Sequence, residues 1–538
     1  MPQHHSTPLR GLISTGRSPL FQGRFGRMFR SLPKAVFGRD DDENIKNLTK
    51  LGFQIPVTKS GMSALFDPPT DGPDPEEGGI PALYTYLGQF MDHDITFDPA
   101  SSLQAQDDPD ALTDFRTPAF DLDNIYGRGP DDQPYMYNKD GMTFLLGDPL
   151  TGDRPPNPSA PQFTATDLPR NSAHPARALI GDPRNDENTI VSQLQGLFHR
   201  FHNRTVQDHP DFTFAQIQER VRFHYQYMIL HDFLPRIINA NVLKELRNKA
   251  GNYDQKNLKF FHWKNEPFMP VEFSVAAYRL GHSMVRPGYR LNSDAHNLLP
   301  IFSTPESLEA GFPHDLAGFQ KMASDRAIDW GRFIDIDDRP YGSDEKLHDK
   351  EKEKKRLHEN AHRLQFAYRL DTSVVFALSN LPIPSVVAAP PPALPVRNLI
   401  RGWRLGLPTG QHVARAMGHT PLEDKDIRIG KGVDKQDPKD PPIIPINRVD
   451  PVFAQNCPLW TYILAEAMHH QIKVKIPVER EISITTPQLG PVGGRIVAEV
   501  FLGLMFGDNH SLLSSNPTWT PDNKNFALKD FVNYALGK

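Results

Sequence analysis

Apolar residues recur at helical spacing through much of the chain. Ile190, Leu194, Leu197 and Phe201 stand at i, i+4, i+7 and i+11, and Ile217, Val221, His224 and Met228 repeat that spacing. Residues 188–235 therefore read as two long amphipathic helices. A further helix is expected where Leu83 and Leu87 lead into Gln89-Phe90-Met91-Asp92-His93-Asp94. Strand-like patterns are few and short, Thr485 to Gly494 being read as a hairpin. The charged run from Glu345 to Arg356 reads as a solvated helix face. These patterns predict a mainly α fold with long ordered loops and few short strands.

Composition sharpens that picture. Proline fills 51 of 538 positions, nearly twice its usual share of about 5%, so much of the chain is expected as ordered loop. No repeat and no Gly/Ser-rich linker divides it, and Pro382 to Pro395 and Pro438 to Pro445 read as stiff connections packed on the body. The expected organisation is a basic arm over residues 1–40 and one large domain over 41–538. Arg10, Arg17, Arg24, Arg27, Arg30, Lys34 and Arg39 all precede the first acid, Asp40. Phe21, Phe25 and Phe29 favour an arm wrapped on the body over one reaching for an anionic surface.

Sixty basic against 65 acidic residues give a formal charge of −5, which implies no nucleic-acid partner. No run approaches the roughly 18 apolar residues of a spanning helix, and no signal-peptide core is visible. A single cysteine, Cys457, excludes an intramolecular disulfide and a Cys-based zinc centre. The expectation is a monomer that is cytoplasmic or exported without a leader.

Candidate chemistry starts at Gln89 and His93, which share one helix face at i, i+4. Gln, Asp, His and Asp within six positions of a half-buried helix are costly without partners. Thr117, Asp121 and Asp123 alternate hydroxyl and carboxylate oxygens at odd spacings, which suits a hard cation or a set of turn-forming aspartates. Arg184-Asn185-Asp186-Glu187 opens the first long helix, where Asn and Asp are ordinary caps. Arg279-Leu280-Gly281-His282 and Asn398-Leu399-Ile400-Arg401-Gly402 complete the set.

In this order and spacing the five segments resemble the animal-type heme peroxidases of the peroxidase-cyclooxygenase superfamily. The resemblance runs from about Phe25 to Leu502-Gly503-Leu504-Met505-Phe506-Gly507-Asp508, and the lack of appended modules is similar to the short bacterial branch. It implies a heme peroxidase that uses hydrogen peroxide to oxidise halides, thiocyanate or small phenols through a ferryl intermediate, in a setting such as oxidative stress. His93 would be the distal histidine, Gln89 its neighbour at the halide or water site, and Arg184 the catalytic arginine. His282 would be the proximal iron ligand, with Asn398 accepting a hydrogen bond from its other nitrogen and Arg279 and Arg401 beside the heme. Asp92 and Glu187 match the carboxylates that form ester bonds to heme b. Calcium would be held by Asp94, Thr117, the carbonyl of Ala119, Asp121 and Asp123.

Two departures and three rivals accompany that reading. After Arg401-Gly402 the family usually continues Arg-Asp-His-Gly, whereas Trp403, Arg404 and Leu405 here precede Gly406. Asn188 stands where one family member has a methionine, so no sulfonium link is expected. Fatty-acid dioxygenases of the same superfamily use a radical tyrosine three residues before the proximal histidine. That position is Arg279 here, and Tyr278, about 100° away on an α-helix, would not present the same face to the heme. Gln89 and His93 are expected to frame a small polar site rather than an apolar channel. His358-Glu359-Asn360-Ala361-His362 matches the HExxH zinc-peptidase pattern, but the next thirty residues hold no His or Glu to serve as a third ligand. A heme-loaded adhesion or scaffold protein is the remaining class, and the complete catalytic set argues against it.

Overall fold

The computed structural model describes residues 23–54, 70–96, 113–114, 116–152, 165–293, 298–303, 309, 314–345, 347–379, 381, 393–436, 442–515 and 519–538. Helices dominate, and the longest described strands have five residues.

The two helices foreseen over 188–235 form because each start is capped and each apolar stripe finds a partner. Asn188 Oδ1 accepts from the backbone of Ile190 at 3.1 Å and Val191 at 2.9 Å, which opens the helix Thr189–Asp208. Thr213 and Gln216 make a capping box for Phe214–Met228. That second helix continues through a π turn, Ile229–Phe233, into Leu234–Ile237. Ile190, Leu194, Leu197 and Phe201 are all buried, the last stacking on Phe531 of the helix Leu528–Leu536 with centroids 4.8 Å apart.

The expected hairpin over 485–494 is a correction. Strand Ser483–Pro487 pairs backwards with Gln471–Lys475, and Gly490 instead caps the buried helix Pro491–Gly507. Its glycines serve contact rather than turning: a Cβ on Gly494 would lie 2.9 Å from Ile238, and one on Gly503 would lie 2.2 Å from the Phe261 ring. Glu466 satisfies the helix start by accepting from Val492 and Gly493 at 3.0 and 3.1 Å.

Strand Gly23–Gly26 pairs antiparallel with Thr113–Asp114 and parallel with Met269–Pro270, and Phe25 and Phe29 are buried. Arg27 donates to the carbonyls of Leu405 (2.6 Å) and Gly406 (3.0 Å), past the end of the helix Leu394–Arg404. A cation at that end meets the negative pole of the helix and its open carbonyls. Gly406 has φ +67 there, which explains a glycine after three bulky residues. Arg10, Arg17, Phe21 and the prolines at 382–392 and 438–441 lie outside the described residues. The charged run ends in the helix Lys350–His362, which is mostly exposed. No helix among the described residues is long and apolar enough to cross a membrane.

Candidate active site

A cavity of about 490 Å³ separates the helix Leu83–Ile95 from the turn Ala277–Met284. It gathers six of the predicted residues from three distant segments: Gln89, Asp92 and His93 on one wall, Arg279 and His282 on the other, and Glu187 at the edge.

His93 is buried, and its Nδ1 lies 2.7 Å from Asn185 Oδ1. An amide oxygen only accepts, so Nδ1 carries the proton and Nε2 is left with a lone pair. Burial, then the charge of Arg184, lower the His93 pKa to about 3. Asn185 is itself fixed, its amide donating to Gln195 at 2.7 Å. It sits where sequence reading saw only a helix cap, and a cap gives no sign of an imidazole partner. Gln89 donates to Glu187 Oε1, which stands 3.7 Å from His93 Nε2. Burial pushes Glu187 up to about 7 and raises Asp92 as well.

On the other wall His282 is held neutral, its pKa lowered to about 3 by burial and by Arg279. The Asn398 amide is turned opposite to the expected direction. Asn398 Nδ2 donates to His282 Nδ1 at 2.9 Å, while its Oδ1 accepts from Arg279 at 3.1 Å. A guanidinium has only donors, so it claims the amide oxygen and leaves the amino group for the imidazole. Arg401 shares the Leu394–Arg404 helix with Asn398 and is not on the cavity wall. With burial, its charge brings Arg279 down to about 10.

Arg184 departs from the expectation of a group facing the cavity. Its guanidinium donates to Asp182 (2.7 Å) and to the carbonyls of His93 (2.9 Å) and Thr96 (2.7 Å), and it does not line the cavity. Asp182 is buried between Arg184 and Arg116, and the two cations outweigh burial to hold its carboxyl well below the usual range. In this position Arg184 acts on His93 through its field and by fixing the helix end.

The geometry assumed for Tyr278 is also corrected. Ala277–Leu280 is a 3₁₀ turn of about 120° per residue, and Tyr278 lines the cavity, stacked on Phe273 at 4.7 Å. The cavity is not a small polar site either: beyond Gln89 and His93 its lining includes Phe233, Ile301, Phe302, Leu316, Leu378 and Leu394.

Beyond His93, carboxylate oxygens of Asp94, Asp121 and Asp123 lie within 4.8 Å of one another. Leu122, at φ +62 between the last two, turns both toward one point. Asp94 Oδ1 and Asp123 Oδ1 are buried without a hydrogen-bond partner. Burial and mutual repulsion raise Asp94 and Asp121 well above the usual range. Orphaned carboxylate oxygens at this spacing fit one calcium ion, whose ligands stand at about 2.3–2.6 Å. Thr117 and Ala119 border the same loop beside Asp121.

The cavity in turn fits heme: a neutral imidazole on each face, apolar walls, and two buried hydroxyls, Thr85 Oγ1 and Ser274 Oγ, without partners. The HExxH pair forms no comparable centre. His358 and His362 lie 4.7 Å apart on the Lys350–His362 helix, Glu359 pairs with Lys355, and no third ligand joins them among the described residues.

The family model described as animal haem peroxidase matches residues 105–323. A dual oxidase of Drosophila melanogaster is 30% identical over 118 residues, 20% of this chain and 7% of that one, so the chain matches a small part of that relative's length. A fatty acid alpha-dioxygenase of Arabidopsis thaliana superposes with TM-score 0.51 at 12% identity, over 93% of this chain and 76% of that chain. Peroxidase A of Dictyostelium discoideum gives 0.49 at 14% identity, over 89% and 90%.

Proposed function

We propose that this chain, which belongs to the animal-type heme peroxidase family, uses hydrogen peroxide to oxidise small anions such as halides or thiocyanate, or small phenols. The observation that carries the reading is the pairing of two neutral, differently supported histidines across one cavity.

Bound heme supplies an iron that exchanges electrons with peroxide. His282 would offer Nε2 as its ligand. An imidazole that accepts at Nδ1 keeps its proton on Nε2, so ligation would require the Asn398 amide to turn its oxygen toward Nδ1–H. A neutral amide acceptor would then draw less proton density from the imidazole than a carboxylate, which would keep the iron easier to reduce. His93 accepts a proton at Nε2 from the nearer peroxide oxygen and returns it to the departing one, acting as base and then acid. Asn185 holds the required tautomer. Arg184 supplies fixed positive charge behind His93, keeping it neutral and favouring negative charge as the O–O bond breaks. Gln89 orients a water or small anion beside His93. Asp92 and Glu187, both biased toward the neutral acid, are the carboxyls for ester bonds to heme. Asp94, Asp121 and Asp123 would hold a calcium ion, which would fix the helix that carries the base.

A second reading, fatty-acid dioxygenation, is favoured by Tyr278 on an apolar wall. Against it, Arg279 takes the position three residues before His282. An oxygen electrode with linoleate, run beside peroxide-driven triiodide formation, separates the two. The peroxidase reading expects triiodide and no oxygen uptake; rapid uptake abolished by Tyr278→Phe overturns it.

A further inference from the structure

Three tyrosines line the cavity, Tyr84, Tyr86 and Tyr278, and their hydroxyls face different acceptors. Tyr278 donates to the backbone oxygen of Gly88 at 3.2 Å, and Tyr86 is hydrogen-bonded to the phenol of Tyr289. Tyr84 donates to Asp232 Oδ2 at 2.5 Å. A phenol gives up an electron readily only when its proton leaves at the same time, and of these acceptors only the carboxylate can keep that proton. Burial pushes the Tyr84 phenol well up, so it stays protonated until an electron is drawn from it.

The surroundings of this pair are built rather than incidental. Asp232 comes from the π turn Ile229–Phe233, a rare helical form found frequently at functional sites. Its carboxylate is fixed by Arg236 Nε at 2.8 Å and by the backbone of Leu528 at 2.9 Å. Arg236 lies over the Tyr84 ring at 4.5 Å and also lines a separate groove of about 430 Å³. Lys475 and Arg480 join it there against one acid, Asp335, with Val474 and Pro477 as apolar floor. Both added cations are exposed. Cavity wall, phenol, carboxylate and cationic groove therefore follow one another in contact.

We propose that Tyr84 is a one-electron relay by which the peroxide reaction reaches anionic phenols too large for the cavity, bound in the groove of Arg236, Lys475 and Arg480. The inference rests on the peroxidase reading. Hydrogen peroxide is the oxidant and is reduced to two waters. For each of its two equivalents, Tyr84 passes one electron to the oxidised cofactor and its hydroxyl proton to Asp232, leaving a neutral tyrosyl radical. An anionic phenol in the groove returns one electron, Asp232 returns the proton to Tyr84, and the donor's phenolic proton goes to solvent. Two phenols thus become two phenoxyl radicals per peroxide. While Asp232 holds the proton, Arg236 is unbalanced beside the ring, which makes the radical strongly oxidising and short-lived.

The test mixes heme-loaded full-length protein with peroxide, freezes it within milliseconds and reads the radical by paramagnetic resonance, with oxidation of a sulfonated phenolic dye and of iodide measured in parallel. The wild type should give a tyrosyl signal that narrows with deuterated tyrosine. In Tyr84→Phe that signal should vanish and the dye-to-iodide rate ratio should fall about tenfold or more. Lys475→Glu with Arg480→Glu, two surface changes, should raise KM for the dye several-fold while keeping the radical. An unchanged signal and ratio in Tyr84→Phe overturn the relay, and an unchanged dye KM in the double variant overturns the groove even if Tyr84→Phe fails to load heme. A wild type that oxidises iodide without a Tyr84-dependent radical refutes the relay alone; one that oxidises neither donor refutes the peroxide reading and the relay together.

Discussion

The base at the centre of this account is an imidazole that burial and a nearby cation keep uncharged. With His93 at about 3, the rate of reaction with peroxide should hold level far below the ordinary imidazole pKa of about 6.5 and show no fall at that value down to pH 4. Glu187, 3.7 Å from Nε2 and titrating at about 7, should add a shallow inflection only before its ester to heme forms, and Glu187→Gln should remove it. Stopped-flow traces between pH 4 and 8 check both. The same shifts bear on stability. His93, His199 and His282 all have folded pKa values of about 3, so the unfolded chain takes up protons first as pH falls. Their contribution is intact above about 6.5 and lost toward 3, at about 1.4 kcal/mol per pH unit for each. The fall in urea midpoint of the heme-free protein from pH 7 to 5 should therefore be smaller, or the rise larger, in His199→Gln than in the wild type. Gln89 and His93 were legible in the sequence because i, i+4 spacing and the cost of buried polar groups both point to a shared ligand. Asn185 was not, since an asparagine at a helix start has an ordinary capping role. Tyr278 was not legible as a wall residue because neighbours on a 3₁₀ turn, about 120° apart, can both border one cavity, as Tyr278 and Arg279 do.

At the level of elements, the wall that carries Glu187 depends on a close backbone approach. Gly318 donates to the Glu187 carbonyl at 3.0 Å and Phe319 to that of Asp186 at 2.7 Å, and a Cβ on Gly318 would stand 1.9 Å from the Asp186 oxygen. Gly318→Ala should cost at least about 1–3 kcal/mol as overpacking against backbone and move Glu187 away from Gln89. A lowered Tm together with weakened retention of heme in acidic ketone would show it. Helices were readable wherever a cap preceded an apolar stripe, as at Asn188 and Thr213. The strand-then-helix at 483–507 was not, because glycines that admit a neighbouring helix look in sequence like glycines that make a turn. Likewise Arg27 shows its part only once the chain brings it to Leu405 and Gly406, 378 and 379 positions away.

For the molecule as a whole, the cation site couples the loop at 117–123 to the helix of the base. Without a cation, Asp94 and Asp121 have raised pKa values, so protons and calcium compete for the same oxygens. Chelation should lower Tm at pH 7, and this calcium-dependent increment should shrink toward pH 5 as the carboxyls bind protons instead. Asp121→Ala should abolish the increment at both pH values. The mainly α class was legible from periodicity alone. That residues 89–93, 184–187, 279–282 and 398–401 close on one cavity was readable only through family resemblance, since no local rule relates segments about a hundred residues apart. The most direct check of the central claim is the rate of the first heme spectral change on mixing with hydrogen peroxide, compared between wild type and His93→Ala at equal heme content. The account predicts heme retained and a rate lowered about 10²–10⁴-fold; equal rates in the two proteins would contradict it.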